Sequence, residues 1–183
     1  MKTVYETDRL LLKVLDESYN DIVLDYYLRN KDFLKEWEPK RSKLFFTLDY
    51  QYKLLKRELD SIYNKNSLRL WIFKKGEEKT IGCIGFNNIV RGAFLSCFLG
   101  YKLDKDELNK GYITEAIKMG IDIMFNKYKL HRIEANILPR NKASIRVCEK
   151  LRFVNEGISR KYLKINGVWE DHIHMVLLNE EIE

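Results

Sequence analysis

Apolar positions first cluster in residues 9–15 (RLLLKVL), a run of strand length. Asp16 and Ser18 can cap a helix that carries Ile22, Val23, Tyr26 and Tyr27 on one face and should stop near Asn30. An aromatic-rich segment, Phe33 to Pro39, comes next. There Pro39 forbids helix continuation and biases Glu38 toward extended backbone. Between Thr47 and Ile62, Leu48, Leu55, Leu59 and Ile62 fall at helical spacing.

The period then changes. Ser67 to Lys75, the Gly76 turn and Thr80 to Val90 read as a hairpin, and after Arg91-Gly92 the stretch Ala93 to Leu103 adds a third antiparallel strand. From Gly111 the pattern is helical again, with Ile113, Ala116, Ile117, Gly120, Ile121 and Met124 on one face. His131 to Leu138 alternates as a strand, so strand, helix and strand in this order imply a parallel pair with a right-handed crossover. Pro139 ends that strand. Asn141 can cap a short helix bearing Ser144, Val147, Cys148 and Leu151, and Phe153–Ile165 and Trp169–Leu178 form a last hairpin around Asn166-Gly167. With no repeat and no linker, residues 1–183 read as a single α+β domain.

Composition narrows the class. The hydrophobic (45%) and charged (33%) fractions are those of a globular chain and exclude disorder. Three widely spaced cysteines, Cys83, Cys97 and Cys148, give no disulfide framework and no zinc spacing, so no metal is expected. His172 and His174 share a strand face but have no third ligand in view, and read as surface or core histidines. No apolar run reaches bilayer length and no signal segment is evident, so the expectation is a cytoplasmic protein without membrane contact. The net charge is +6. Between Arg140 and Lys164, eight basic residues stand against Glu149 and Glu156, which holds the whole excess in one segment. An aromatic-basic stacking motif is lacking, so direct nucleic-acid binding is not expected.

The segment from Leu108 to Ala116 (LNKGYITEA) lies between a strand and a strongly patterned helix. Such a loop presents unpaired N–H groups and the positive end of the helix dipole, which suits a phosphate, and Gly111 lets the backbone come close. Taken with Leu99-Gly100-Tyr101, His131 to Ala135, Pro139 to Ser144, and Leu151-Arg152-Phe153 with Glu156-Gly157, the ordered set resembles the GNAT acetyltransferase superfamily. Phe33-Leu34, Trp37-Glu38-Pro39, Tyr162, Asn166-Gly167 and Trp169 to His172 resemble the branch that includes the ribosomal-protein-alanine N-acetyltransferases.

That resemblance implies a mixed, mostly antiparallel sheet flanked by helices, whose two central parallel strands, Ala93–Leu103 and His131–Leu138, splay apart to admit acetyl-CoA. It maps the pyrophosphate-binding loop onto Asn109, Lys110, Gly111, Tyr112, Ile113 and Thr114. Pantetheine contacts map onto Leu99, Gly100, Tyr101, Asn141 and Ser144. Leu108 and Ile113 depart from the family's usual polar and small residues, which the backbone-donated hydrogen bonds tolerate. Arg152 stands where a glycine is common; if that position is a left-handed helix cap, the arginine costs some stability.

Acetyl transfer by direct attack needs a neutral amine, a stabilised oxyanion and preferably a proton for the departing thiolate. Ser144 is the candidate proton donor, with the alternative that it merely fills a helical turn behind the Asn141 cap. Glu38 and Glu134 are the candidate bases, with the alternatives of a solvated loop carboxylate and a structural ion-pair partner. The resemblance implies a carboxylate at the position that Leu163 occupies, so the base is unassigned. The acceptor is a protein N-terminus or a small amine such as a drug or polyamine. A non-catalytic basic RNA- or ribosome-binding module on the same fold is the competing class, and a homodimer is left open.

Overall fold

The computed structural model describes residues 2–182. The chain opens with a short hairpin, β1 (Val4–Glu6) and β2 (Leu10–Lys13), followed by α1 (Asn20–Arg29), α2 (Lys31–Leu34) and α3 (Leu48–Tyr63). Strands β3 (Leu68–Lys74), β4 (Thr80–Val90) and β5 (Ser96–Leu103) form the expected meander. Helix α4 (Tyr112–Asp122) runs on into a π turn at Ile123–Lys127 and leads to β6 (Arg132–Ile137). Then come α5 (Lys142–Lys150), β7 (Val154–Ile165) and β8 (Val168–Leu178). The eight strands form one sheet in the order β1-β2-β3-β4-β5-β6-β8-β7. Among the described residues, β5 and β6 are its parallel neighbours and the other pairs are antiparallel.

The sheet separates two apolar layers because side chains alternate along each strand. Leu70, Ile72, Ile84, Phe86, Leu99 and Ile133 pack on one face with Ala116, Ile117 and Cys148 of α4 and α5. Trp71, Phe73 and Cys83 face the other way, against Val23, Tyr26 and Tyr27 of α1 and Leu55 of α3. The packing of α4 is close enough to dictate sequence. A Cβ added at Gly120 would come within 2.6 Å of the Phe86 ring and 2.8 Å of Ile84, so only glycine lets the helix settle at that depth.

Several boundaries differ from the sequence expectation. The strand expected over residues 9–15 is only four residues long, and β1 was not foreseen because three residues carry no readable period. Helix α1 does stop at Asn30, but that residue also opens α2, so part of the aromatic segment is helical. Residues 93–95 are not strand: Leu95 has φ +41, and the sheet resumes at Ser96. Arg152 takes φ +65 directly after α5, the left-handed cap inferred from the Leu-Arg-Phe segment. The three cysteines are free and buried.

Candidate active site

Strands β5 and β6 pair at only three positions, Ser96 with Arg132, Cys97 with Ile133 and Phe98 with Glu134. Beyond these, β5 stays with β4 as far as Leu103 and β6 stays with β8 as far as Ile137, so the two strands diverge. Alternate backbone groups of β5 from Leu99 onward therefore lose their strand partner and face a cleft inside the sheet. A side chain at Gly100 would meet nothing within 4 Å, so this part of β5 is open.

One end of the cleft is met by the loop before α4. Asn109 (φ +61) and Gly111 (φ +83) are both left-handed, and Gly111 occupies the N-cap without any side-chain cap bond. The first intrahelical bond runs from the Glu115 amide to the Gly111 carbonyl, 3.1 Å. The amides of Tyr112, Ile113 and Thr114 thus project from the helix end with the positive end of its dipole behind them. Arg9, from the edge hairpin, braces this loop. Its Nη1 donates to the Lys110 carbonyl at 2.9 Å, its Nε to Glu115 at 2.7 Å, and its guanidinium lies 4.5 Å from the Tyr112 ring centre. Thr7 also donates to Glu115, at 2.6 Å. Burial pushes the Glu115 carboxyl up, but these bonds outweigh it and hold the group below the usual carboxylate range.

The N-terminus of α5 closes the same side. Asn141 Oδ1 accepts from the Ser144 amide at 3.1 Å, the expected cap. Tyr101 donates its hydroxyl to the Ser144 carbonyl at 2.9 Å and lies 3.5 Å from the Cys148 sulfur, tying α5 to β5. Burial pushes both groups up, the Cys148 thiol to about 11, so neither ionises near neutral pH. Tyr101 has therefore committed its proton to structure. Ser144 is half-buried, and its hydroxyl makes no hydrogen bond among the described residues.

The opposite face carries the two candidate carboxylates, and both are paired. Glu38 contacts Lys102 of β5 and lies 3.1 Å from Arg41. Burial raises its pKa, but Lys102 and then Arg41 overcome this and leave it lowered, which makes it a weaker base. Glu134 is 2.8 Å from Arg132, which also holds Glu156 at 2.5 Å, and 3.5 Å from His174. Asn136, two residues further along β6, donates to the Tyr162 hydroxyl at 3.2 Å. The β7–β8 turn reaches over this face, with Asn166 donating to the Lys35 carbonyl at 3.2 Å.

The fold thus brings Leu99, Gly100, Tyr101, Asn109 to Thr114, Asn141 and Ser144 to the α4/α5 side, and sets Glu38 and Glu134 across the sheet. Three supporting residues escaped the sequence reading: Arg9, Lys102, and Glu115 as the partner of Arg9. Only Glu115 had a signal, as part of the Thr-Glu-Ala motif. Among the described residues, no group of three or more His, Cys, Asp or Glu side chains is arranged to hold a metal. No helix among them is long and apolar enough to cross a membrane.

A family model described as Acetyltransferase (GNAT) domain matches residues 9–154. The chain belongs to this family. As a GNAT acetyltransferase it is 38% identical over 182 residues to the probable N-acetyltransferase YjcK of Bacillus subtilis, covering 100% of the chain and 97% of the relative. Its fold superposes on the ribosomal-protein-S5-alanine acetyltransferase of Vibrio fischeri with a TM-score of 0.94 and 35% identity, covering 100% of both chains. Mycobacterium smegmatis RimJ, solved in complex with CoA-disulfide, matches with a TM-score of 0.91 and 26% identity over 99% of this chain and 89% of that one. The GNAT enzyme described here is an N-acetyltransferase, and solved GNAT structures hold CoA.

Proposed function

We propose that the enzyme transfers the acetyl group of acetyl-CoA to the N-terminal α-amine of a protein of the ribosomal kind, in the cytoplasm, with residues 1–183 acting as one domain. The early divergence of β5 and β6 beside the amide-rich α4 terminus carries this reading. The Tyr112–Thr114 amides, with Asn109, Lys110 and Gly111 shaping their loop, receive the pyrophosphate. The backbone of Leu99 to Tyr101 and the Asn141–Ser144 turn hold the pantetheine.

The acceptor amine enters from the α1/α3 face. An α-amine, with a pKa near 8, is roughly a tenth neutral at pH 7, so weak base assistance suffices. It attacks the thioester carbon directly. The C–N bond forms through a tetrahedral intermediate whose oxyanion is met by the unpaired β5 amides. As the C–S bond breaks, Ser144 relays a proton to the thiolate while the nitrogen loses one. Glu38 is held by two cations, whereas Glu134 has one oxygen on Arg132, a cation it shares with Glu156, and the other toward His174, so Glu134 is the better placed carboxylate to take that proton.

The pairing of Glu38 with two cations also bears on the acceptor. A polyamine calls for uncompensated carboxylates, and this wall offers a neutralised one. The similarity to an S5-alanine acetyltransferase independently supports a protein N-terminus. A thiol-release assay with acetyl-CoA against peptides beginning with alanine or serine, beside a panel of polyamines and drugs, tests the reading. Turnover is expected on the peptides; turnover confined to small amines contradicts it.

A further inference from the structure

At the far end of α4 from the phosphate loop, the fold forms an open, groove-like cavity of about 620 Å3. Sixteen residues of helix and π turn separate the two, roughly 24 Å at a helical rise of 1.5 Å per residue. Four cations converge on it from separate segments: Lys2 before β1, Lys65 after α3, Arg91 in the β4–β5 turn, and Lys127 in the π turn. No lining residue is acidic. Among the described residues none of the four makes an ion pair within 4 Å. Glu6, whose carboxyl feels Lys2, is itself held by Lys75 at 2.7 Å.

Aromatic rings hold three of these cations, Lys2, Lys127 and Arg91, in place. The Lys2 and Lys127 ammonium groups stand 5.1 and 4.7 Å from the centre of the buried Tyr5 ring. Arg91 lies 5.6 Å from the Tyr128 ring centre and donates to the Tyr128 carbonyl at 2.6 Å. Two ammonium groups on one ring repel each other without a counter-ion, a cost that phosphate oxygens remove. Tyr63, also in the lining, is 64% exposed and leaves a ring free for stacking.

From this arrangement we infer that the cavity binds a short single-stranded stretch of nucleic acid, its phosphates on the four cations and a base stacked on Tyr63. The chemistry combines the two elements that sequence-tolerant single-strand binding uses, a basic groove and an aromatic platform. Cations drawn from four segments suit several successive phosphates better than a single one. The chain contains no linear aromatic-basic motif; folding assembles one from residues as far apart as Lys2 and Tyr128. This site is independent of acetyl transfer, and its test does not rest on the acceptor.

Fluorescence anisotropy with labelled ten-nucleotide RNA and DNA strands tests it in the full chain. Engagement of about three phosphates gives a log–log salt slope near −2. Arg91→Glu combined with Lys127→Glu is expected to weaken binding at least tenfold and to flatten that slope, and Tyr63→Ala to weaken it roughly tenfold at unchanged slope. Arg91 supports a turn, so Lys2→Glu with Lys65→Glu provides a second reversal on exposed positions, and circular dichroism verifies that each variant is folded. CoA affinity should not move. No binding by the wild type, binding indifferent to both reversals, or loss through Arg160→Glu with Lys161→Glu on β7 instead, overturns the inference. So does equal affinity for polyphosphate with no effect of Tyr63→Ala.

Discussion

The two walls of the diverging-strand cleft are made of different material. On the α4/α5 side the atoms proposed to hold the cosubstrate are backbone amides, those of Tyr112 to Thr114 at the head of one helix and those beside the Asn141 cap of the next. On the α1/α3 side they are side-chain charges paired between segments far apart in the chain, Glu38 with Lys102 and Arg132 with Glu156. The first wall tolerates Leu108 and Ile113 because a backbone donor asks little of its side chain. The second depends on each charge having its partner. On the proposed reading, the site is robust to sequence where it would hold the cosubstrate and exacting where the acceptor would enter.

Breaking a charge pair should show this contrast most strongly. Lys102→Met leaves half-buried Glu38 with only Arg41, and a loss of about 2 kcal/mol in urea-unfolding stability is expected. A loss below about 0.5 kcal/mol would mean the wall is not held by its charges. On the amide wall, Gly111→Ala forces a side chain to adopt φ +83 and brings its Cβ 3.3 Å from Arg9. CoA affinity, measured by calorimetry, should fall about tenfold, corresponding to roughly 1–2 kcal/mol of such strain. An unchanged affinity would detach the loop from the phosphate.

A pH series sharpens the same comparison. Glu115 and Glu38 both have lowered folded-state pKa values, so each contributes stability that is complete above the unfolded carboxylate range and is lost as pH falls through the folded value. Acid titration of Glu115→Gln should therefore give a shallower loss of stability below about pH 4.3 than the wild type. Parallel curves would remove the bracing role of Glu115. The smallest effect belongs to Ser144→Ala. A thiolate is already a good leaving group, a cysteine thiol having a pKa of about 8.5, so kcat should drop only about three- to tenfold with CoA affinity intact. No change in kcat would return Ser144 to a purely helical role.

The amide wall was legible in the sequence because its signals are local. Gly111 before a strongly periodic helix and Asn141 three residues before Ser144 are patterns a few residues wide, and both fall where expected. The sheet followed for the same reason, since β3 to β5, β6 and the β7–β8 hairpin each carry their own period and turns. The charge wall was not legible. Nothing near Lys102 announces a carboxylate 64 residues upstream, and nothing near Arg9 announces Glu115. The tyrosine–cation cavity extends the lesson, because its segments share no motif until the β1 edge, the α3 terminus and the π turn meet.

Acetyl transfer to an α-amine in the cleft between β5 and β6 is the central prediction for this enzyme. Mass spectrometry of an alanine-initiated peptide containing an internal lysine, after incubation with the enzyme and acetyl-CoA, tests it most directly. The expected product carries one acetyl group on the N-terminal nitrogen and none on the lysine. A peptide that stays unmodified while polyamines are acetylated, or one acetylated only on lysine, would contradict it.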